Sequence, residues 1–190
     1  MAKGMYHYVG EAWKKPTREM LQTRLIQWRA GESATVVDKP LRLDRARTLG
    51  YKAKKGFVVV RIRVKRGGRK RPRHEHGRMS RKQHIRKILK MNYQWVAEIR
   101  AANHFTNLEV LNSYLIAKDG KYGFYEVIMV DPDKPEIKND PTMKWICDGA
   151  NRKRAHRGLT SAAKKSRGLR TKRNTLKVRP SGRAWGRVGK

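Results

Sequence analysis

The chain has a single cysteine, Cys147, so no intrachain disulfide and no thiolate cluster can form. That fits a reducing, intracellular setting. Long apolar runs are missing too. They extend only a few residues, as in Phe57-Val58-Val59-Val60 and Val127-Ile128-Met129-Val130, against the roughly 18 that a membrane span needs. The opening Met1-Ala2-Lys3-Gly4-Met5-Tyr6 lacks the apolar core of a signal peptide. Acidic residues are scarce: 15 stand against 48 lysines and arginines in 190 residues, a formal net charge of +33. A body of that charge alone in water repels itself. A polyanion relieves the repulsion, and RNA and DNA are the common ones. An acidic membrane surface is set aside, because the sequence offers no amphipathic helix with a large apolar face and a basic edge, and no lipidation motif.

The charge is unevenly spread. Residues 91–150 hold 6 basic and 9 acidic side chains, a net of −3. Residues 61–90 hold 14 basic residues and one acid, Glu75, and residues 151–190 hold 15 basic residues and no acid. This is the layout of a small folded body with basic extensions: residues 1–150 as the body, with a basic loop at 65–80, and residues 151–190 as an extended tail.

Apolar spacing supplies the elements. Met20, Leu21, Leu25 and Trp28 recur at helical intervals over residues 17–29. A second helix is expected from Ser80 to about Asn103. Ser80 and Gln83 have capping-box spacing, and Ile85, Ile88, Leu89, Trp95, Val96 and Ile99 follow as a stripe. Residues 108–117 and 122–130 read as strands around Lys118-Asp119-Gly120-Lys121, where Asp-Gly is a strong hairpin signal. Leu111 and Leu115 are expected on one face of the first of these strands, with Val110, Tyr114 and Ile116 on the other. Apolar residues on both faces imply a sheet covered on both sides by the two helices. Residues 57–65 form a third strand, and Thr35-Val36-Val37 offers a fourth. In the third strand Val58, Val60, Ile62 and Val64 keep one face apolar. The other face passes from Phe57 and Val59 to Arg61, Arg63 and Lys65, as if leaving the core for a basic surface. The expected fold is therefore α+β, a small, mostly antiparallel sheet with helices against it.

The strand runs into Arg66-Gly67-Gly68-Arg69-Lys70-Arg71-Pro72-Arg73, where glycine and proline argue for a loop. Arginine presents a planar fork of donors that fits phosphate oxygens, and lysine a point charge. The glycines let the backbone approach closely and offer N–H groups. In the tail, Arg157-Gly158-Leu159 recurs ten residues later as Arg167-Gly168-Leu169. The intervening Thr160-Ser161-Ala162-Ala163-Lys164-Lys165-Ser166 supplies small residues, hydroxyls and cations suited to a sugar–phosphate surface. The candidate RNA-binding residues are thus Arg61, Arg63, Arg66, Gly67, Gly68, Arg69, Lys70, Arg71 and Arg73, and then Arg157, Lys164, Lys165, Arg167, Arg170, Lys172 and Arg173. With few apolar residues to bury, the last 40 are expected to order only against a partner. Trp28 and Trp95 lie on helical stripes and read as core, whereas Trp185 is a candidate for base stacking.

Chemistry of other kinds finds little support. His74 and His76 flank Glu75 but have no second ligand pair at metal-site spacing. Ser161-Ala162-Ala163-Lys164 matches a Ser-x-x-Lys pattern without its companion motifs. No phosphate-loop or dinucleotide fingerprint is present. The reading therefore assigns no catalytic residue, no metal and no cofactor.

Several blocks carry a resemblance. Leu49-Gly50-Tyr51-Lys52-Ala53-Lys54, Gly56-Phe57-Val58-Val59-Val60-Arg61-Ile62-Arg63-Val64 and Arg66-Gly67-Gly68-Arg69-Lys70-Arg71 come first. Leu111-Asn112-Ser113-Tyr114, then Phe124-Tyr125-Glu126-Val127-Ile128-Met129-Val130-Asp131-Pro132, and Arg157-Gly158-Leu159-Thr160-Ser161-Ala162 follow in order. Together they resemble a large-subunit ribosomal protein family shared by archaea and eukaryotes, whose eukaryotic members are numbered fifteen. The likeness runs from about Tyr6 to Leu169, and the short tail looks archaeal. It implies extensions that penetrate large-subunit ribosomal RNA in the cytoplasmic ribosome, and neighbouring large-subunit proteins as partners. It also implies no enzyme activity; membranes, small-molecule substrates and homo-oligomers are not expected. A DNA-compacting protein fits the charge equally well, and an RNA-processing enzyme would need a carboxylate pair, metal set or nucleophile–base pair that the acids do not form.

Overall fold

A computed structural model describes residues 2–70, 86–87 and 89–170. Helices α1 (Met5–Lys14) and α2 (Arg18–Ala30) lead into strand β1 (Ala34–Val37) and a short α3 (Leu43–Thr48). Strand β2 (Phe57–Lys65) is followed by two short strands, β3 (Arg69–Lys70) and β4 (Arg86–Lys87). Then come α4 (Tyr93–His104), β5 (Glu109–Lys118), β6 (Tyr122–Val130), α5 (Pro135–Lys138), two 3-10 turns (Lys144–Cys147 and Gly149–Asn151) and α6 (Ser161–Ser166). The main sheet has the order β1-β2-β6-β5, with each neighbouring pair antiparallel. The protein is α+β, as the spacing predicts.

The sheet has two covered faces. On one, Val60, Ile62 and Val64 of β2 join Tyr125, Val127 and Met129 of β6 against Val96, Ala97 and Ala101 of α4. On the other, Phe124 and Ile128 pack with Trp28 of α2 and Ala46 of α3. Trp28 and Phe124 meet with ring centroids 5.3 Å apart. A third cluster, Val130, Ile137, Met143 and Ile146, holds α5 and the first 3-10 turn against the end of the sheet. Gly56, at φ +91°, lies where a Cβ would stand 2.6 Å from Cγ1 of Ile137, so glycine alone suits both the backbone and the space there.

The second long helix starts later than the apolar stripe suggests. Its N-cap is Asn92, whose side chain accepts from the Trp95 N–H at 2.7 Å. Met91 and Val96 flank that cap at hydrophobic-staple spacing, and both pack in the α4-side core. Leu89 packs there too, from the segment ahead of the helix. Its match to the helical period thus reflects a shared core rather than a shared helix. Ser80, Gln83, Ile85 and Ile88 lie outside the described residues.

The alternation in β5 is also broken. Register shifts occur between Val110 and Asn112 and between Leu115 and Ala117. A bulge changes which face each later side chain meets. Val110 accordingly packs on the α4 side, while Tyr114 and Ile116 pack on the α2 side. Leu111 joins Tyr114 there, and Leu115 is 40% exposed.

Two expectations about the basic segments need correction. Arg69 and Lys70 pair antiparallel with Lys87 and Arg86, so the expected loop includes a short β-ribbon. Residues 151–170 are also folded onto the body, where the sequence reading expected order only against a partner. Ala155, Thr160, Ala162 and Ala163 are buried, and polar contacts to α4, described below, compensate for the small apolar content.

Candidate nucleic-acid interface

The expected site residues fall into three groups. Arg61 and Arg63, on the α2-facing side of β2, are half-buried beside α2 rather than out on a free basic surface. The Arg61 guanidinium lies 5.2 Å from the Trp28 ring centroid and that of Arg63 5.0 Å from the Tyr122 ring. Arg63 also donates to the carbonyls of Trp28 and Arg29. These are among the last carbonyls of α2, where the helix dipole favours a cation. The covering helix continues over this face, which the change from valine to arginine along the strand does not reveal. Burial lowers the pKa of Arg61, and neighbouring Glu126 acts in the opposite sense.

The second group is at the end of β2. Arg66 donates to the carbonyl of Asp119 in the β5–β6 turn. Gly67, at φ +102°, donates its N–H to the Tyr93 hydroxyl at 2.8 Å, and that hydroxyl donates back to the Gly67 carbonyl at 3.2 Å. Tyr93 thereby fixes the turn against the start of α4. Gly68 follows it, and Arg69 and Lys70 lie in β3. Arg71 and Arg73 fall outside the described residues, as do His74, Glu75 and His76.

The third group is residues 157–170. The repeated Arg-Gly-Leu has a structural role that spacing alone does not reveal. Gly158 and Gly168 both have positive φ, +73° and +72°. The N–H of Leu159 donates to Arg154 and that of Leu169 to Lys164, each at 3.0 Å, while the two glycine N–H groups bond the carbonyls three residues back. This is the paired bonding of a Schellman turn end, in which glycine fits the left-handed position. Arg157 donates to the carbonyls of Arg152 and Ala150, Arg167 to that of Gly158, and Arg170 to the Ser161 hydroxyl. Lys164 and Lys165 are exposed in α6. Lys172 and Arg173, like Trp185, are outside the described residues.

A buried carboxyl anchors this third group and escaped the sequence reading. Glu98 of α4 is fully buried and accepts from the hydroxyls of Ser113 and Thr160. Burial raises its pKa, opposed by those two hydroxyls and by nearby Arg154. The Trp95 indole N–H donates to Ala155 at 2.7 Å, and Asn92 Nδ2 to Ala162 at 2.9 Å. Thr160 in turn caps α6. A glutamate in the middle of an apolar helical stripe was the available signal. A comparable carboxyl, Glu126, is buried on the other face with the Tyr114 hydroxyl and the Leu41 N–H as donors, and burial raises its pKa as well.

A concave site, beside the basic turn, of about 430 Å³ is lined by Lys65, Arg66, Gly67, Gly68, Leu89, Tyr93 and Arg100. Among the described residues it includes three cations and no acid. Arg100, one of its cations, was not singled out from sequence.

With this surface in view, comparison with known proteins is decisive. Residues 4–185 match the family described as ribosomal L15. The chain belongs to that family. It is 46% identical over 196 aligned residues to the large ribosomal subunit protein eL15 of Methanocella arvoryzae, with 100% of both chains covered. The resemblance drawn from the ordered sequence blocks is therefore correct, including its assignment to the archaeal branch. The family match extends beyond Leu169 to residues where the block-by-block likeness faded.

Proposed function

We propose that this ribosomal L15 family member is a structural constituent of the large ribosomal subunit in the cytoplasm, where it binds and stabilises folded ribosomal RNA. It has no catalytic role in this reading and works as a single copy beside neighbouring large-subunit proteins. Residues 66–73 form one contact region and residues 157–173 a second. Arg61 and Arg63 contribute mainly to the electrostatic field. The supporting observation is the segregation of charge: a net of −3 over residues 91–150 lies between segments with 14 basic residues to one acid and 15 to none. That central stretch can fold without excess repulsion, while the basic segments on either side of it call for a polyanion.

Sedimentation of native lysate on a sucrose gradient, with and without a high-salt wash, tests the proposal. The protein should travel with the large subunit and stay there at high salt. Sedimentation with chromosomal material, or recovery at the top of the gradient, would refute it. Pure protein should also favour structured RNA over duplex DNA as salt rises, because shape and 2′-hydroxyl contacts are screened less than phosphate contacts. Replacing Arg69, Lys70 and Arg71 together by alanine should impair incorporation into particles; normal incorporation removes this segment from the proposal.

A further inference from the structure

We infer that the concave site between the β2 end and α4 receives one unpaired nucleotide of the bound RNA, an inference that rests on the RNA-binding reading above. Its shape, charge and lining all bear on this. Its volume of about 430 Å³ falls within the range of roughly 300–1,000 Å³ usual for small-molecule pockets and exceeds what a phosphate group alone would occupy. Lys65, Arg66 and Arg100 supply three cations, with no acid among the described residues of the lining. The larger recess bordered by α1 and α3 differs, because Glu11 and Asp44 stand among its cations.

Two of those cations are held in place. Arg66 is fixed by the Asp119 carbonyl, and Arg100 donates to the Arg63 carbonyl at 3.1 Å. Both partners are neutral, so the guanidinium charge is retained and further donors on each fork remain for a phosphate. Among the described residues, the apolar part of the wall is Leu89 and the Tyr93 ring, both half-buried members of the α4-side core. A base extruded from a helix would lie against this wall while its phosphate meets the cations, the mode by which proteins read unstacked RNA. Gly67 strengthens the case. Its backbone groups are bonded to Tyr93, and among the described residues other than its chain neighbours no atom lies within 4 Å of where a Cβ would be, so the turn is tied to α4 and open to them on that side.

Three RNA hairpins of otherwise identical sequence test the inference: one with a bulged adenosine, one with an abasic bulge and one fully paired. Binding of the full chain is measured by fluorescence anisotropy at two salt concentrations. The bulged adenosine should bind roughly tenfold more tightly than the other two. Ultraviolet crosslinks from the bulge should fall within Gly67–Gly68 or Leu89–Tyr93. Arg100→Gln and Leu89→Ala, each checked for a wild-type circular dichroism spectrum, should bring the affinity for the bulged adenosine down to that for the paired hairpin. Equal affinity for all three hairpins, with crosslinks confined to other segments, overturns the site but leaves the RNA-binding reading intact. Competition by free adenosine monophosphate at matching concentration also overturns it, because the site would then serve a free nucleotide. Failure to bind these hairpins or a large-subunit ribosomal RNA transcript would remove the RNA-binding reading itself.

Discussion

Replacing Glu98 tests how residues 151–170 are held. The carboxyl is fully buried, with the Ser113 and Thr160 hydroxyls as donors. Leucine would fill similar space but accept neither bond. Ser113 keeps a bond from Gln94 at 3.0 Å, and Thr160 keeps the α6 cap, in which Ala163 donates at 3.4 Å. Each hydroxyl still loses its acceptor, at about 1–3 kcal/mol for a buried polar group left unmet. Relief from burying a carboxylate offsets part of this, so Glu98→Leu should cost about 2–4 kcal/mol, or several degrees of melting temperature at this chain length. Glu98→Gln keeps an acceptor oxygen and should cost little. The pH dependence separates the two ideas. Burial raises the folded pKa above the ordinary 4.5, so the protonated form favours folding. Its stabilising contribution is complete below the unfolded pKa and is lost as pH rises through the raised folded value. The wild type should therefore lose stability relative to Glu98→Gln as pH rises above 4.5, with a slope of at most about 1.4 kcal/mol per pH unit. Urea unfolding of both chains between acid and neutral pH measures this. A pH-independent difference, or a glutamine variant as unstable as the leucine one, would refute the reasoning. Limited proteolysis offers a second readout: Glu98→Leu should become sensitive first at Arg157, Arg167 or Arg170.

Three further substitutions probe other parts of the fold. Arg63→Ala removes a cation over Tyr122 and the donors to the α2 carbonyls; it should destabilise the chain by about 1–3 kcal/mol in chemical unfolding, and the salt dependence of RNA binding should change by less than the one unit expected of a phosphate contact. Gly56→Ala sets a Cβ against Ile137 on a left-handed backbone and should cost about 1–3 kcal/mol by the same measurement. Asp140 accepts from Lys52 at 2.8 Å and Lys54 at 2.5 Å, and those bonds hold its pKa well below the ordinary 3.8. A lowered carboxylate pKa stabilises above the unfolded value and loses that contribution as pH falls through the folded one. Asp140→Asn should therefore lower the melting temperature at neutral pH, and the difference should shrink below pH 3.8.

Much of the sheet was legible because strands announce themselves locally. Phe57–Lys65 and Tyr122–Val130 have the expected bounds, since each combines β-branched or aromatic residues with a turn signal at its end. Thr35-Val36-Val37 falls within β1. Features that depend on distant partners were harder to read. The start of α4 is set by Asn92 and by the antiparallel pairing of residues 86–87, neither of which the apolar period of Ile85, Ile88 and Leu89 reveals. The face of Val110 depends on a bulge against β6. Order in residues 151–170 comes from polar bonds to Glu98, Trp95 and Asn92, which a count of apolar residues omits. In the candidate site, sequence picked out Arg66, Gly67 and Gly68 by proximity to one another. It missed Tyr93 and Arg100, brought to them only when α4 crosses the sheet.

Many arginines in this protein do two things at once. Arg63, Arg66, Arg157 and Arg167 donate to backbone carbonyls of the protein itself. Such bonds consume donors but leave the charge intact, because a carbonyl is neutral. This differs from Lys52 and Lys54, whose charge meets Asp140. A guanidinium anchored on a carbonyl has already lost much of its rotamer freedom. Ordering a long side chain at an interface otherwise costs about 0.5–1.5 kcal/mol. Residues 157–170 carry this further, since two Schellman turns and the Glu98–Thr160 bond fix the backbone as well. For the proposed RNA contact, the folded part of the basic extension therefore acts less like a flexible tail that condenses on phosphate and more like a preformed surface. Its affinity should owe correspondingly more to fit and less to the bare count of its charges.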